Sequence, residues 1–149
     1  MARFLCYFLI EKILAMATNQ QIIDKYFEAY GKHDMEGIAQ VMSENVVWYF
    51  PGSHPLAGTK KGIKEVVEFY DKVGKIMKES KPQIEKLIVA EQGNRLIECI
   101  HSKTNRADNN NLEHYACVLW TIENGKIIEG RHFFANQDAV DKYFSALAK

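Results

Sequence analysis

The sequence predicts a single α+β domain in which helices cover a mostly antiparallel sheet. Helical periodicity dominates the first half of the chain, and four β-rich runs with short turns between them occupy most of the second half. Helices followed by a run of strands are typical of α+β folds with an antiparallel sheet. The length of 149 residues suits one domain that buries a core of its own.

Two short helices are predicted at the start of the domain. Thr18 is suited to the N-cap of the first helix, which Gly31 ends, and Asp34 is suited to the N-cap of the second. Apolar residues at three- and four-residue steps give the first helix one apolar stripe: Ile22, Ile23, Tyr26, Phe27 and Tyr30.

The rest of the chain carries strand signals and two further helices. Val46 to Phe50 is a β-branched and aromatic run that ends at Pro51-Gly52, and a third helix is predicted from about Ile63. We interpret the intervening residues 53–61 as an ordered loop. Further strands are predicted at 83–92, 95–105, 112–123 and 126–135, before a last helix over 138–147. Asn124-Gly125, between two of these strands, is a strong hairpin signal.

Composition and charge bear on the classes of partner. Hydrophobic residues make up 47% of the chain and charged residues 26%, as in an ordinary globular domain. Nineteen basic and nineteen acidic residues give a formal net charge of zero, so we expect no nucleic acid partner. The three cysteines, Cys6, Cys99 and Cys117, lack a metal-type spacing and are interpreted as reduced thiols of a cytoplasmic protein.

Residues 1–17 are interpreted as an N-terminal extension, and the domain itself as residues 18–149. The apolar run from Phe4 to Ile10 is too short to cross a bilayer, so we expect no membrane partner. Glu11 and Lys12 follow it directly, which argues against a signal peptide. Either Met16 is the natural start or the extension is weakly ordered.

The strand at 112–123 has apolar residues on both faces. His114, Ala116, Val118, Trp120 and Ile122 share one face, and Tyr115, Cys117 and Leu119 share the other. An antiparallel sheet normally exposes one face to water, so this pattern indicates that both are covered. Helices can cover one face, and a second copy of the chain is the simplest cover for the other. We therefore expect a homodimer through the sheet.

Several segments together resemble a known superfamily. Tyr26-x-x-x-Tyr30, then Gly31-Lys32-His33-Asp34, then the strand ending at Pro51-Gly52, then Leu56-Ala57-Gly58-Thr59, resemble the first half of ketosteroid isomerase and the SnoaL-like polyketide cyclases. Glu123 to Ile128 and Arg131 to Phe134 are similar to their closing hairpin. The chain resembles a SnoaL-like, ketosteroid isomerase-like member of the nuclear transport factor 2-like superfamily over residues 18–147.

That resemblance implies a cone-shaped fold. In it, a curved, mostly antiparallel sheet is wrapped by three to four helices around an apolar cavity. The family also implies a pocket without a cofactor, which would take a small hydrophobic, oxygenated ligand. The same fold serves isomerases, cyclases, dehydratases and non-enzymatic binding proteins, so the resemblance leaves the reaction open.

The carboxylates of the related enzymes do not carry over to this chain. Ketosteroid isomerase combines an Asp base with a Tyr and a protonated Asp. Tyr26 matches that Tyr, but Phe50 stands at the position of the base, and Ala116 or Val118 at that of the buried Asp. SnoaL-like cyclases often have an Asp on the last strand, where this chain has Ala135. Steroid isomerisation by the known mechanism is therefore not expected.

Two histidines and a tyrosine are the remaining candidates for proton transfer. His132 is predicted to share the cavity face with Phe134, and His114 with Trp120, and histidine titrates near neutral pH. We predict His132, His114 and Tyr26 as catalytic residues, with no metal site. Residues predicted to contact the ligand are Tyr30, Trp48, Phe50, His54, Val118, Trp120 and Phe134. The alternative is a non-catalytic ligand-binding or protein-interaction module in which both histidines are hydrogen-bonded wall residues.

Overall fold

The computed structural model of the chain describes residues 17–148. Within that range the helices are α1 (Asn19–Gly31), α2 (Met35–Val41), α3 (Ile63–Ser80) and α4 (Gln137–Leu147). The strands are β1 (Met42–Phe50), β2 (Gly58–Lys61), β3 (Gln83–Gln92), β4 (Arg95–Lys103), β5 (Glu113–Glu123) and β6 (Lys126–Phe134). The interpretation of the N-terminal extension concerns residues that, apart from Ala17, lie outside the described range.

The six strands form one curved, mixed sheet in the order β2-β1-β6-β5-β4-β3. Strands β3 to β6 pair antiparallel with their neighbours along the chain, as short turns dictate. Strand β1 pairs antiparallel with β2 and parallel with β6. This parallel contact brings the first and last long strands of the domain side by side at the centre of the sheet.

The predicted helix starts are confirmed by their hydrogen bonds. The Thr18 hydroxyl accepts from the Gln21 backbone N–H at 3.2 Å, and the Gln21 side chain accepts from the Thr18 N–H at 2.8 Å. These two bonds form a capping box, which pairs backbone groups that a helix end otherwise leaves free. Asp34 caps α2 by accepting from the Gly37 N–H at 2.9 Å.

Residues 53–61, interpreted as a loop, include the short strand β2. It pairs with β1 from Phe50 opposite Gly58 to Val47 opposite Lys61. The four residues of β2 are polar or glycine and carry no alternation of apolar side chains, so only the neighbouring edge of β1 makes them a strand. Strand β1 itself begins at Met42, four residues before the predicted start.

The helices pack on one face of the sheet, which we call the inner face. Tyr26 of α1 lies 4.8 Å from Trp120 between ring centroids, Phe69 of α3 lies 4.9 Å from Phe50, and Phe144 of α4 lies 5.7 Å from Phe50. These aromatic contacts join three helices to β1 and β5 and close the core over the centre of the sheet.

The opposite, outer face carries exposed apolar side chains. Tyr115 of β5 is 55% exposed, Phe133 of β6 is 49% exposed, and Ile88 of β3 is also exposed.

Within residues 17–148, no helix combines the length and hydropathy needed to cross a membrane.

Candidate functional site

A cavity of about 150 Å³ lies between the inner face of the sheet and helices α1, α3 and α4. Most of its wall is apolar, with Phe50, Phe69, Trp120 and Phe134 among the aromatic side chains. The polar side chains in the wall are few: Tyr26, Tyr30, Tyr70, Glu98, Ser102, His114 and His132. An apolar pocket with a few convergent polar groups is the usual form of a small-molecule site.

The strand register explains which polar groups reach the cavity from the sheet. Glu98 of β4 lies opposite Val118 of β5, and Val118 lies opposite His132 of β6. The three residues therefore form one row across the inner face, and neighbouring strands lie about 4.8 Å apart. Ser102 and His114 form a parallel row farther along the same strands.

Glu98 is the one carboxylate among the described residues that line this cavity. It is 2% exposed, and neither of its carboxylate oxygens has a hydrogen-bond partner among residues 17–148. The Lys86 Nζ lies 3.3 Å from its Oε1, and the Lys86 side chain is half exposed. Moving a carboxylate out of water costs several kcal/mol, which a single ion pair to a half-exposed lysine offsets only in part.

Both cavity histidines are neutral at pH 7. Burial lowers the pKa of His132 to about 3, and the nearby His114 lowers it further in the same direction. Burial also lowers the pKa of His114, with His101 as a second, smaller cause. The His132 Nε2 and His114 Nδ1 atoms are buried and have no hydrogen-bond partner in the described part of the chain. Each imidazole can therefore offer a ring nitrogen to a bound molecule.

Three tyrosines face the sheet wall from the helices. Burial raises the pKa of Tyr26 and of Tyr70 well above the ordinary value, and raises that of Tyr30 to about 12. All three are therefore neutral phenols, which donate hydrogen bonds. Apart from the neighbouring Tyr26 hydroxyl, the buried Tyr70 hydroxyl has no hydrogen-bond partner between residues 17 and 148. The Tyr26 and Tyr70 rings lie 5.5 Å apart between centroids.

The structure brings most of the predicted site residues together. The cavity is lined by all three predicted catalytic residues, His132, His114 and Tyr26. It is also lined by five of the predicted ligand contacts: Tyr30, Phe50, Val118, Trp120 and Phe134.

Trp48 and His54 lie outside the lining. Trp48 points inward from β1 but is fully buried beneath the cavity, with its ring 5.1 Å from Trp120 and 5.6 Å from His132. His54 is 3% exposed, and its Nδ1 accepts from the Leu56 N–H at 3.2 Å. Its ring packs against Phe50 at 5.3 Å, so it supports the wall from behind rather than standing free at a cavity mouth.

Glu98 and Tyr70 are cavity residues that sequence reasoning did not select. The alternation of β4 places Glu98 between Leu96 and Ile100, which are two residues away on either side and share its face. An acidic residue within an apolar inward row was the available signal. Tyr70 belongs to the apolar stripe of α3, where an aromatic residue is ordinary core.

None of the described residues, 17–148, form a group of three or more His, Cys, Asp or Glu side chains placed to hold a metal ion. The polar groups of the cavity are spread over three strands and two helices, with apolar side chains between them.

The SnoaL-like domain is the protein family whose sequence pattern matches this chain, over residues 23–130. The chain belongs to the SnoaL-like family. This confirms the resemblance inferred from the sequence and the cone-shaped, curved-sheet fold that it implied. A comparison with curated proteins gives no match to this SnoaL-like chain.

Solved structures similar to the SnoaL-like chain share its fold over nearly their whole length. Bal32a, from a soil-derived mobile gene cassette, is 23% identical with a TM-score of 0.75, over 85% of this chain and 95% of Bal32a. A nuclear transport factor 2-like protein from Burkholderia xenovorans LB400 is 24% identical with a TM-score of 0.72, over 87% and 99% of the two chains. TerC, co-crystallized with polyporic acid, is 21% identical with a TM-score of 0.69, over 85% and 97%.

Proposed function

We propose that this SnoaL-like protein binds a small hydrophobic, oxygenated molecule in the cavity and transfers a proton on it, with Glu98 as the proton acceptor. The observation that carries the proposal is Glu98 itself. Its carboxyl group is buried in the apolar wall, where the Lys86 ammonium is its one charged partner among residues 17–148, and it shares that wall with neutral imidazoles and phenols.

The size of the cavity limits the ligand. A cavity of about 150 Å³ accommodates a single six-membered ring, as an apolar cavity of about that volume binds benzene. Typical pockets for larger ligands measure about 300–1,000 Å³. We therefore expect one ring of the ligand to enter the cavity, between Phe50 and Trp120, with any further groups outside it.

The chemical roles follow from the charge state of each group. A His132 with a pKa of about 3 is a weak base at neutral pH, and proton transfer works best when the pKa of the acceptor lies near the operating pH. That leaves the Glu98 carboxylate as the acceptor in the cavity wall, and Lys86 supplies the opposite charge that a buried carboxylate requires. His132 remains suited to hydrogen bonding with the ligand as a neutral imidazole.

The tyrosines on the helix side of the cavity are suited to stabilise the negative charge that removal of a proton creates. When a proton leaves a carbon beside a carbonyl group, negative charge develops on the carbonyl oxygen. Neutral phenol donors held in a water-poor site stabilise such an oxyanion, and the position of Tyr26 and Tyr70 in the cavity wall supports this role for them. Returning the proton to another carbon gives isomerisation, and passing it to a departing hydroxyl group releases water, which is dehydration. Isomerase, cyclase and dehydratase reactions all begin with this step.

A non-catalytic binding protein is the second candidate. It is favoured by Phe50 and Ala135, which replace carboxylates of related enzymes with side chains that hold no proton. In this version, the free nitrogen atoms of His114 and His132 recognise the oxygen atoms of a ligand that leaves unchanged.

Hydrogen–deuterium exchange at the carbon beside a carbonyl group tests the proposal without a known substrate. Single-ring ketones such as cyclohexenone, together with polyporic acid, serve as binding probes. Their binding is followed by the intrinsic fluorescence of Trp48 and Trp120, whose rings lie 5.1 Å apart. The protein should accelerate exchange of a bound ketone in deuterated water, measured by NMR. Glu98→Gln should lower that rate by about 100-fold or more, because one general base contributes about 10²–10⁴.

Glu85→Gln is the matched control, since Glu85 lies on the outer face of β3, opposite His101. It should leave exchange unchanged. Binding without any acceleration by the native protein would favour the second candidate. Failure of every single-ring probe to bind would contradict both.

A further inference from the structure

Cys99 of β4 and Cys117 of β5 lie directly opposite each other in the antiparallel pair. Their sulfur atoms are 2.6 Å apart, so the two side chains point toward each other rather than into separate apolar pockets. Sequence reasoning had interpreted both as reduced thiols.

The register alone makes these two residues compatible with a covalent bond. Directly opposed residues of an antiparallel pair have Cα atoms about 4.5–5.5 Å apart. A disulfide needs a Cα separation of about 4.4–6.8 Å, so β4 and β5 could be joined without backbone movement.

The pair occupies the outer face, directly behind the cavity. Cys99 follows Glu98 and Cys117 precedes Val118, and both of those neighbours line the cavity from the inner face. Both cysteines are half-buried in this single chain, beside the exposed ring of Tyr115. In a chain whose outer face is not covered by a second copy, a small oxidant can therefore reach the sulfur atoms.

We propose that Cys99 and Cys117 form a redox-active dithiol that a disulfide oxidant, such as oxidised glutathione, converts into an intramolecular cross-strand disulfide. One cysteine attacks the oxidant and forms a mixed disulfide, releasing one reduced glutathione. The second cysteine then attacks that sulfur and releases the other. A Cys99–Cys117 bond forms, the glutathione disulfide bond breaks, and both thiol protons pass to the two glutathione thiolates.

The local environment makes this reaction slow but leaves its equilibrium favourable. Burial, followed by the hydrogen bond with Cys99, raises the pKa of the Cys117 thiol to about 11. Little Cys117 thiolate is therefore present at neutral pH, and thiolate is the attacking form. The second step is intramolecular between groups already in contact, which favours the closed disulfide over the mixed one. The test must therefore be run to equilibrium.

The bond would join β4 to β5 one residue away from the pair formed by Glu98 and Val118. It would close a loop of the residues between 99 and 117, which restricts the unfolded chain. A loop of about this length raises the midpoint of thermal unfolding by roughly 10 °C in a domain of this size.

The experiment uses the full chain with Cys6→Ser, so that only the proposed pair can react. The protein is equilibrated at low concentration with excess oxidised glutathione, alkylated with iodoacetamide, and weighed by intact mass spectrometry. We expect a product with no alkyl group and no glutathione, running as a monomer on a non-reducing gel. Reduction should restore two alkylation sites and lower the unfolding midpoint by roughly 10 °C.

A matched control moves one cysteine along the same face. Cys117→Ser with Leu119→Cys, also in the Cys6→Ser protein, leaves Cys99 facing a diagonal neighbour. Diagonal residues lie about 7–8 Å apart, too far for a disulfide. This variant should accumulate glutathione adducts instead. Glutathione adducts, two alkylated thiols or a disulfide-linked dimer from the Cys6→Ser protein itself would overturn the proposal.

Discussion

At the scale of single residues, the cavity wall is distinguished by buried polar atoms that make no hydrogen bond. Glu98, His114 and His132 all present buried polar atoms that lack hydrogen bonds within residues 17–148. Most buried polar groups in proteins are paired, because leaving one unpaired costs about 1–3 kcal/mol. Several such groups around one cavity favour a site that a ligand completes.

The depressed pKa of His132 predicts a specific dependence of stability on pH. An ordinary histidine titrates at 6.5, whereas His132 in the folded protein has a pKa of about 3. Below pH 6.5 the unfolded chain binds a proton that the folded protein does not. The free energy of unfolding should therefore fall as the pH falls from about 6.5 toward about 3, by at most about 4–5 kcal/mol.

Urea unfolding of the native protein and of His132→Gln between pH 7 and pH 5 measures this effect. The free energy of unfolding of the native protein should fall by up to about 1.4 kcal/mol more per pH unit than that of the variant. Equal pH dependence in the two proteins would show that His132 is freely protonated in the folded state.

At the scale of secondary structure elements, the parallel pair β1–β6 depends on one glycine. Gly130 of β6 lies opposite both Trp48 of β1 and Trp120 of β5. A Cβ atom at Gly130 would overlap the Trp48 ring, which is fully buried. The missing side chain therefore makes room for the indole that forms the floor beneath the cavity.

Gly130→Ala should destabilise the protein by about 2–3 kcal/mol or more, since overpacking a rigid core forces side chains and backbone to move. Gly31→Ala at the end of α1 is the control, because nothing lies within 4 Å of a Cβ atom there. Chemical denaturation of both variants measures the difference. Similar stabilities would mean that the Trp48 ring can move aside freely.

At the scale of the whole molecule, the outer face is the unexplained surface. Tyr115 and Phe133 are about half exposed on it, whereas three helices cover the inner face on the other side of the sheet. Contiguous exposed apolar surface on a soluble domain often marks an interface between proteins. A homodimer through this face therefore remains our expectation, as the alternation of β5 predicted.

Sedimentation velocity at micromolar concentration checks this expectation. The native protein should sediment as a dimer, and Tyr115→Glu should shift it to a monomer by placing a charge within an apolar interface. Ala107→Glu adds the same charge at an exposed loop position and should leave the dimer intact. A native protein that sediments as a monomer would contradict the expectation.

Much of the fold was readable from local patterns. The caps at Thr18 and Asp34, the hairpin at Asn124-Gly125 and the strands of the meander all depend on neighbouring residues. The strand β2 was not readable, because its residues carry no strand pattern and pair only where β1 offers a free edge. The site also was readable in part from local patterns, because the alternation of side chains along β5 and β6 identified His114 and His132.

The sequence by itself determined the α+β class, the SnoaL-like resemblance and the apolar stripes. Only the tertiary structure decided that Glu98 shares a cavity with His132, that His54 lies behind the wall, and that Cys99 meets Cys117. The physical reason is strand register. Alternation along one strand assigns a side chain to a face, but the residue beside it comes from another strand, and only the folded sheet brings the two together.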